Sequence, residues 1–262
     1  MEIPSHAQAE SADTKSLPAK QGNAILRALA RNSNSADKGE IEPAMAAAFK
    51  LNDLRERLKS IAAALGSGRV ILPVLPHEVA PEGDCPSGQL PQIRLKGASG
   101  GLAVPIYSSL ETMNEAADAG LGHELASFAG AEQVPRPLPV GARALAIAAL
   151  DSPGRMLLDD TYLLPRPLLN ALAGADTWVP SWEHPSLLAE VSRLIRQVLP
   201  GAEWEIIPQI AGPDRLLVAV APNLPGLATA LEALQKGLNA LDNLDTAADL
   251  LEVTPVPATG RN

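Results

Sequence analysis

Arg69-Val70-Ile71-Leu72-Pro73-Val74-Leu75 is a nearly all-apolar run with the length of a strand covered on both faces. Pro73 complicates that reading, because proline has no N–H to give to a ladder and is disfavoured in central strands. A Pro- and Gly-rich loop follows over residues 76–88. Leu90, Ile93 and Leu95 then alternate along Gln89–Lys96, and Leu102, Val104 and Ile106 along Gly101–Tyr107. Between them, Gly97-Ala98-Ser99-Gly100-Gly101 is a turn, so the two segments predict a hairpin. Ser108 with Glu111 matches a capping box and predicts a helix carrying Leu110 and Met113. A strand, a hairpin and a capped helix in that order predict an α+β domain.

Upstream, residues 1–40 are expected to be a disordered or weakly helical leader. Residues 1–22 are polar and aperiodic, and Ala24–Leu29 has the length of one short helix. Pro43 suits the first position of a helix. Met45, Ala48, Phe49, Leu54, Leu58, Ile61 and Leu65 then recur at helical spacing. One long helix or a broken pair is expected, ending at Gly66 and Gly68. Downstream, residues 115–134 interrupt the pattern, with a short helix expected over Leu121–Phe128. An extended Pro135–Val140, a helix over Ala142–Leu150, paired strands at Arg155–Leu158 and Tyr162–Leu164, and a helix over Pro165–Ala173 complete a first domain, residues 41–180. A second module, residues 181–256, reads helix (Pro185–Leu199), strand (Trp204–Ile210), strand (Arg215–Ala221), helix (Leu224–Leu244), strand (Leu250–Val256). Residues 257–262 are a tail.

At 262 residues and 46% hydrophobic, the chain has enough apolar material for a core without a metal or disulfide staple. Only 3% of residues are aromatic, so aliphatic side chains must fill that core, and few flat faces remain for stacking bases. The net charge of −9 and the lack of a Lys/Arg run argue against a nucleic-acid partner. No apolar run approaches the roughly 18 residues of a spanning helix, so no membrane role is expected. The opening Met1-Glu2-Ile3-Pro4-Ser5-His6 lacks the basic start and apolar core of a secretory signal, and a cytoplasmic location is the expectation.

Candidate chemistry is sparse. Cys85 is the single cysteine, beside Asp84, whose charge would raise rather than lower a thiol pKa; an unreactive thiol is the simpler reading. His6, His77, His123 and His184 show no metal-ligand spacing, and His184 precedes Pro185 as a residue leading into a helix. The glycines at 97–101 lack the Lys-Ser/Thr of a phosphate loop. Ser108 and Ser109 lack a nucleophile-elbow frame. Asp159-Asp160 follows a strand, where carboxylates for acid–base work occur, but also where a turn toward Tyr162 would use Asp. Trp178 and Trp182 are the residues most suited to an interaction surface, or else fasten a linker onto neighbouring helices. No catalytic residue, cofactor or metal site is expected.

Several segments resemble the SseB N-terminal domain family in its high-GC Gram-positive form. Glu42–Ala48 is similar to that family's D-P-x-L-x-A-A-L opening, and Arg69–Val74 to its R-L-L-V-P-V strand. Ala103–Glu111 is similar to its A-L-P-V-F-T-S-x-E turn. Arg136–Val140 resembles its R-P-V-P-V segment, and Leu158-Asp159 with Leu163–Arg166 the strand and helix start that follow. The insertion over 115–134 and a short loop at 76–88 depart from the pattern. The resemblance implies a cytosolic, non-enzymatic interaction or regulatory protein with a protein partner, and it transfers no catalytic residue. Two alternatives stand beside it. One is a small-molecule sensor, for instance of amino acids, binding between the two modules. The other is a hydrolase or transferase using Asp159 or Asp160.

Overall fold

The computed structural model describes residues 37–75, 90–95, 101–122, 124–125, 134–151, 153–221 and 223–258. The leader over residues 1–36, Cys85, His6, His77, His123, most of the glycine turn at 97–101 and residues 126–133 lie outside the described residues.

The architecture is α+β. The helical periodicity upstream resolves as a broken pair, α1 (Pro43–Phe49) and α2 (Leu54–Ser67). Asp53 breaks it: its side chain accepts from the Glu56 N–H and caps α2. Helix α2 buries Leu58, Ile61, Ala62 and Leu65 along one stripe and ends at Gly68. A Cβ at Gly68 would come within 2.5 Å of the Ala64 carbonyl oxygen and the Glu42 carboxylate, so only glycine fits there.

Prolines set the layout of the first sheet. Strand β1 (Arg69–Val74) pairs antiparallel with β4 (Arg136–Gly141), with Ile71 opposite Pro139 and Pro73 opposite Pro137. Ile71 also exchanges both backbone hydrogen bonds with Tyr107, at the end of β3 (Leu102–Ile106), at 2.8 and 2.9 Å. N–H groups alternate edges along a strand, so Ile71 and Pro73 both face β3, and no donor is lost from the β1–β4 ladder. The register that matches Ile71 with Tyr107 would next match Pro73 with Pro105. Neither has an N–H, and the contact stops at a single bridge. The short β2 (Ile93–Arg94) takes the other end of that edge, antiparallel to β3. On its opposite edge β3 pairs in parallel with β5 (Met156–Leu158), which forms a hairpin with β6 (Tyr162–Leu164).

Helices cover both faces of this sheet. Val70, Leu72, Val104, Ile106, Met156 and Leu158 pack against α1, α2, α4 (Ala142–Ala149) and α5 (Arg166–Gly174). Ile71 and Tyr107 point the other way and pack with Met113 and Ala116 of α3 (Leu110–Asp118). The cap of α3 sits one residue later than the sequence pattern predicts. Ser109, not Ser108, is the N-cap, and its reciprocal partner is Thr112, not Glu111. Ser108 is 3% exposed and its N–H is held by Asp159, so it belongs to the strand end rather than the helix.

The second core is built from α6 (Pro185–Val198), β7 (Trp204–Ile207), β8 (Asp214–Val220), α7 (Leu227–Asn239), the short α8 (Leu244–Ala247) and β9 (Leu251–Pro257). Strands β7 and β8 form the expected antiparallel hairpin, and β9 joins β8 in parallel after the α7 crossover. Side chains from neighbouring helices reach both outer edges of this sheet. The Gln235 carboxamide accepts from the Val253 N–H and donates to the Leu251 carbonyl, occupying the place of a neighbouring strand's peptide group. Pro255 and Pro257, next in the same alternation, have no N–H to offer. On the far edge, Arg55 of α2 donates to the Ile206 carbonyl and pairs with Glu205.

Candidate functional site

Among the described residues, polar groups from distant parts of the chain gather at the end of β3, with the Arg69–Asp37 pair beside it, and at the seam between the two cores. At the first, Asp159 and Asp160 both adopt left-handed backbone, φ 49° and 52°, in a tight turn closed by Thr161 N–H to Leu158 O. Short polar side chains tolerate this conformation, which is why the Asp-Asp pair sits between β5 and β6. Asp159 Oδ1 accepts from the Ser108 N–H at 2.7 Å and from Thr112 Oγ1 at 3.1 Å, tying the hairpin to the start of α3. Desolvation raises the Asp159 pKa above the ordinary carboxylate value, partly offset by hydrogen bonds from Ser108 and Thr112. The Ser108 hydroxyl lies close enough to contribute to that offset, but makes no well-formed hydrogen bond of its own. Asp160 accepts from the Tyr107 hydroxyl at 3.1 Å. Burial, then the negative charge of Asp160, keeps that phenol protonated far above its usual range. The pair makes the turn toward Tyr162, with each carboxylate holding a named neighbour.

The seam is the second place. Arg155, just before β5, forms a bidentate ion pair with Asp249 ahead of β9, at 2.6 and 2.8 Å, with side chains 16% and 12% exposed. Asp249 also accepts weakly from the Arg166 N–H at the start of α5. Ser181, in the linker before α6, is buried and donates its hydroxyl to Asp214 Oδ2 at 2.5 Å. Asp214 Oδ1 accepts from the Gln209 N–H at 3.2 Å. Desolvation, with a smaller contribution from the Asp249 charge, pushes the Asp214 pKa up to about 6 against the pull of both hydrogen bonds. A third tie is the Leu163 N–H of β6 donating to the Ile210 carbonyl.

Trp178 and Trp182 frame this seam. Their rings meet edge to face, 5.7 Å between centroids at 88°. Trp182 is buried in the second core, and half-buried Trp178 packs against both cores. The rings fasten the linker instead of presenting an aromatic surface, since apolar area is stabilised by facing the two cores rather than water. What this stretch shows to solvent is Val179. Both indole N–H groups are buried without an acceptor among the described residues. Between the tryptophans, Arg155, Asp214 and Asp249 lies a cavity of about 30 Å³, room for one or two water molecules.

His184 caps α6, its Nδ1 accepting from the Leu187 N–H and bonding Ser186, in line with its position before Pro185. No group of three or more His, Cys, Asp or Glu among the described residues is placed to hold a metal. No helix among them is long and apolar enough to cross a membrane. Sequence reasoning missed Arg155, Ser181, Asp214 and Asp249, which carry no local motif and meet only across the folded seam. No family model, curated protein or solved structure matches the chain.

Proposed function

We propose that the chain is a non-catalytic interaction or regulatory protein of the kind its SseB-like segments imply, acting in the cytoplasm on a protein partner. One observation carries the reading. Each strong polar cluster joins distant parts of the chain: Ser108 with Asp159, Arg69 with Asp37, Ser181 with Asp214, Arg155 with Asp249. These groups have the geometry of fasteners, and a reacting centre needs a nucleophile, a base and space for a substrate together. Asp159 accepts from the Ser108 N–H and the Thr112 hydroxyl, which hold it against the start of α3.

The sensor reading draws on the converging polar groups of the seam. Sites for drug-sized ligands are roughly 300–1,000 Å³, so a cavity of about 30 Å³ admits such a ligand only if the seam opens. Two measurements test the proposal. Affinity capture from cells, followed by reconstitution with the purified partner, is expected to give a stoichiometric complex. A thermal-shift screen against amino acids and nucleotides is expected to show no stabilisation. A concentration-dependent rise in Tm with any of these ligands would replace the partner reading with the sensor reading.

A further inference from the structure

Among the described residues, the sheet of the second core carries helices on one face only. Leu216, Val218 and Val220 of β8 are buried with the inner sides of α6 and α7. The register puts Leu217 and Ala219 on the other face, beside Ile207, Thr254 and Val256. These five are half-buried and join none of the buried clusters of the described residues. A sheet face with Leu and Ile on it is stabilised by an apolar cover. Glu205, Glu252 and Arg215 rim the patch, and Arg55 holds Glu205. A second copy is a poor cover, because stacking two such faces opposes like-charged rims on chains of net charge −9.

The leader supplies a better one. Residues 15–31 hold four of the chain's 21 Lys and Arg and none of its 30 Asp and Glu. After Asn23, a good N-cap, a helix over Ala24–Arg31 would set Ile25, Leu26 and Leu29 on one side and Arg27 and Arg31 on the other. So short a helix does not hold in water unless its apolar side finds a surface. The leader enters the fold at Asp37, which Arg69 grips just past the end of α2. At the other end of α2, Arg55 touches Glu205 on the rim of the patch. That helix is about 21 Å long, and the stretch from Arg31 to Asp37 extends to about the same length. We propose that Ala24–Arg31 docks as a helix on the open face of the β7–β8–β9 sheet of its own chain, Ile25, Leu26 and Leu29 against Leu217 and Ala219. Docking within one chain closes a loop instead of joining two molecules, which lowers its cost. Any partner for this face must displace the leader, although the docking itself does not depend on the partner reading.

The test is photo-cross-linking in the full chain, with benzoylphenylalanine placed at Leu217 or, in a separate chain, at Thr254. Isotope-labelled and unlabelled chains are mixed, and the linked peptides are identified by mass spectrometry. Both positions are expected to capture a peptide from residues 23–32 of the same chain, in a product of monomer size. The same probe at Ile147, exposed on α4, should not capture that peptide. Ile25→Asp with Leu29→Asp removes the apolar side of the segment without touching the sheet. That double variant should lose the cross-link, and trypsin should cleave it after Arg27 faster than the wild type. A linked peptide from a second copy, one from elsewhere in the chain, or none from either position would overturn the proposal. So would a leader cross-link that survives the double substitution.

Discussion

Single residues carry their weight here through backbone geometry as much as through contacts. Asp159 combines a positive φ with two accepted hydrogen bonds. Asp159→Ala should cost roughly 2–4 kcal/mol in a denaturant titration, from left-handed strain and the loss of the bond to Ser108. Asp160→Gly relieves the same strain and loses the Tyr107 contact, so it should cost less than Asp159→Ala. Equal losses in the two variants would contradict this account of the turn. The turn itself was legible, since two Asp residues between short apolar segments have few other uses. What Asp159 holds was not, because Ser108 lies 51 positions away and no local pattern links them.

Elements were legible where their periodicity or their caps are local. The helices over Ala142–Ala149 and Pro185–Val198, and the hairpin from Trp204 to Val220, lie within a few residues of their expected bounds. The cap of α3 sits one residue later than the Ser108–Glu111 pattern places it because Asp159 holds the Ser108 N–H at the strand end and Ser109 pairs with Thr112 instead. Ser109→Ala should therefore destabilise by about 1 kcal/mol, whereas Glu111→Ala should change thermal stability little. Pro73 suits its place in the strand because the register through Ile71 and Tyr107, if continued, would match it with Pro105, which also has no N–H. Pro105→Val would restore one N–H on that edge, and its amide should be protected from exchange by the Pro73 carbonyl. Free exchange at that position would refute the proposed register.

The whole molecule rests on long-range pairs that sequence inspection had no means to find. Arg155 and Asp249 are 94 positions apart, and removing Arg155 leaves a desolvated carboxylate beside another. Arg155→Met should cost about 2–4 kcal/mol, and adding Asp249→Asn should recover part of that loss, a coupling that a double-mutant cycle measures. Additive losses would mean that the pair does not hold the seam. Acid should weaken the tie at Asp37, whose pKa is lowered mainly by its hydrogen bond to Arg69. That contribution is present above the ordinary carboxylate range and is lost as pH falls below it, and Arg69→Met should abolish this part of the acid dependence. The carboxamide at Gln235 has a consequence beyond the single chain. With it and the two prolines in place, the outer edge of β9 offers no free N–H at residues 253, 255 and 257 on which the strand of a second copy could pair. A Gln235→Ala, Pro255→Thr chain should acquire thioflavin-positive, seedable growth that the parent lacks.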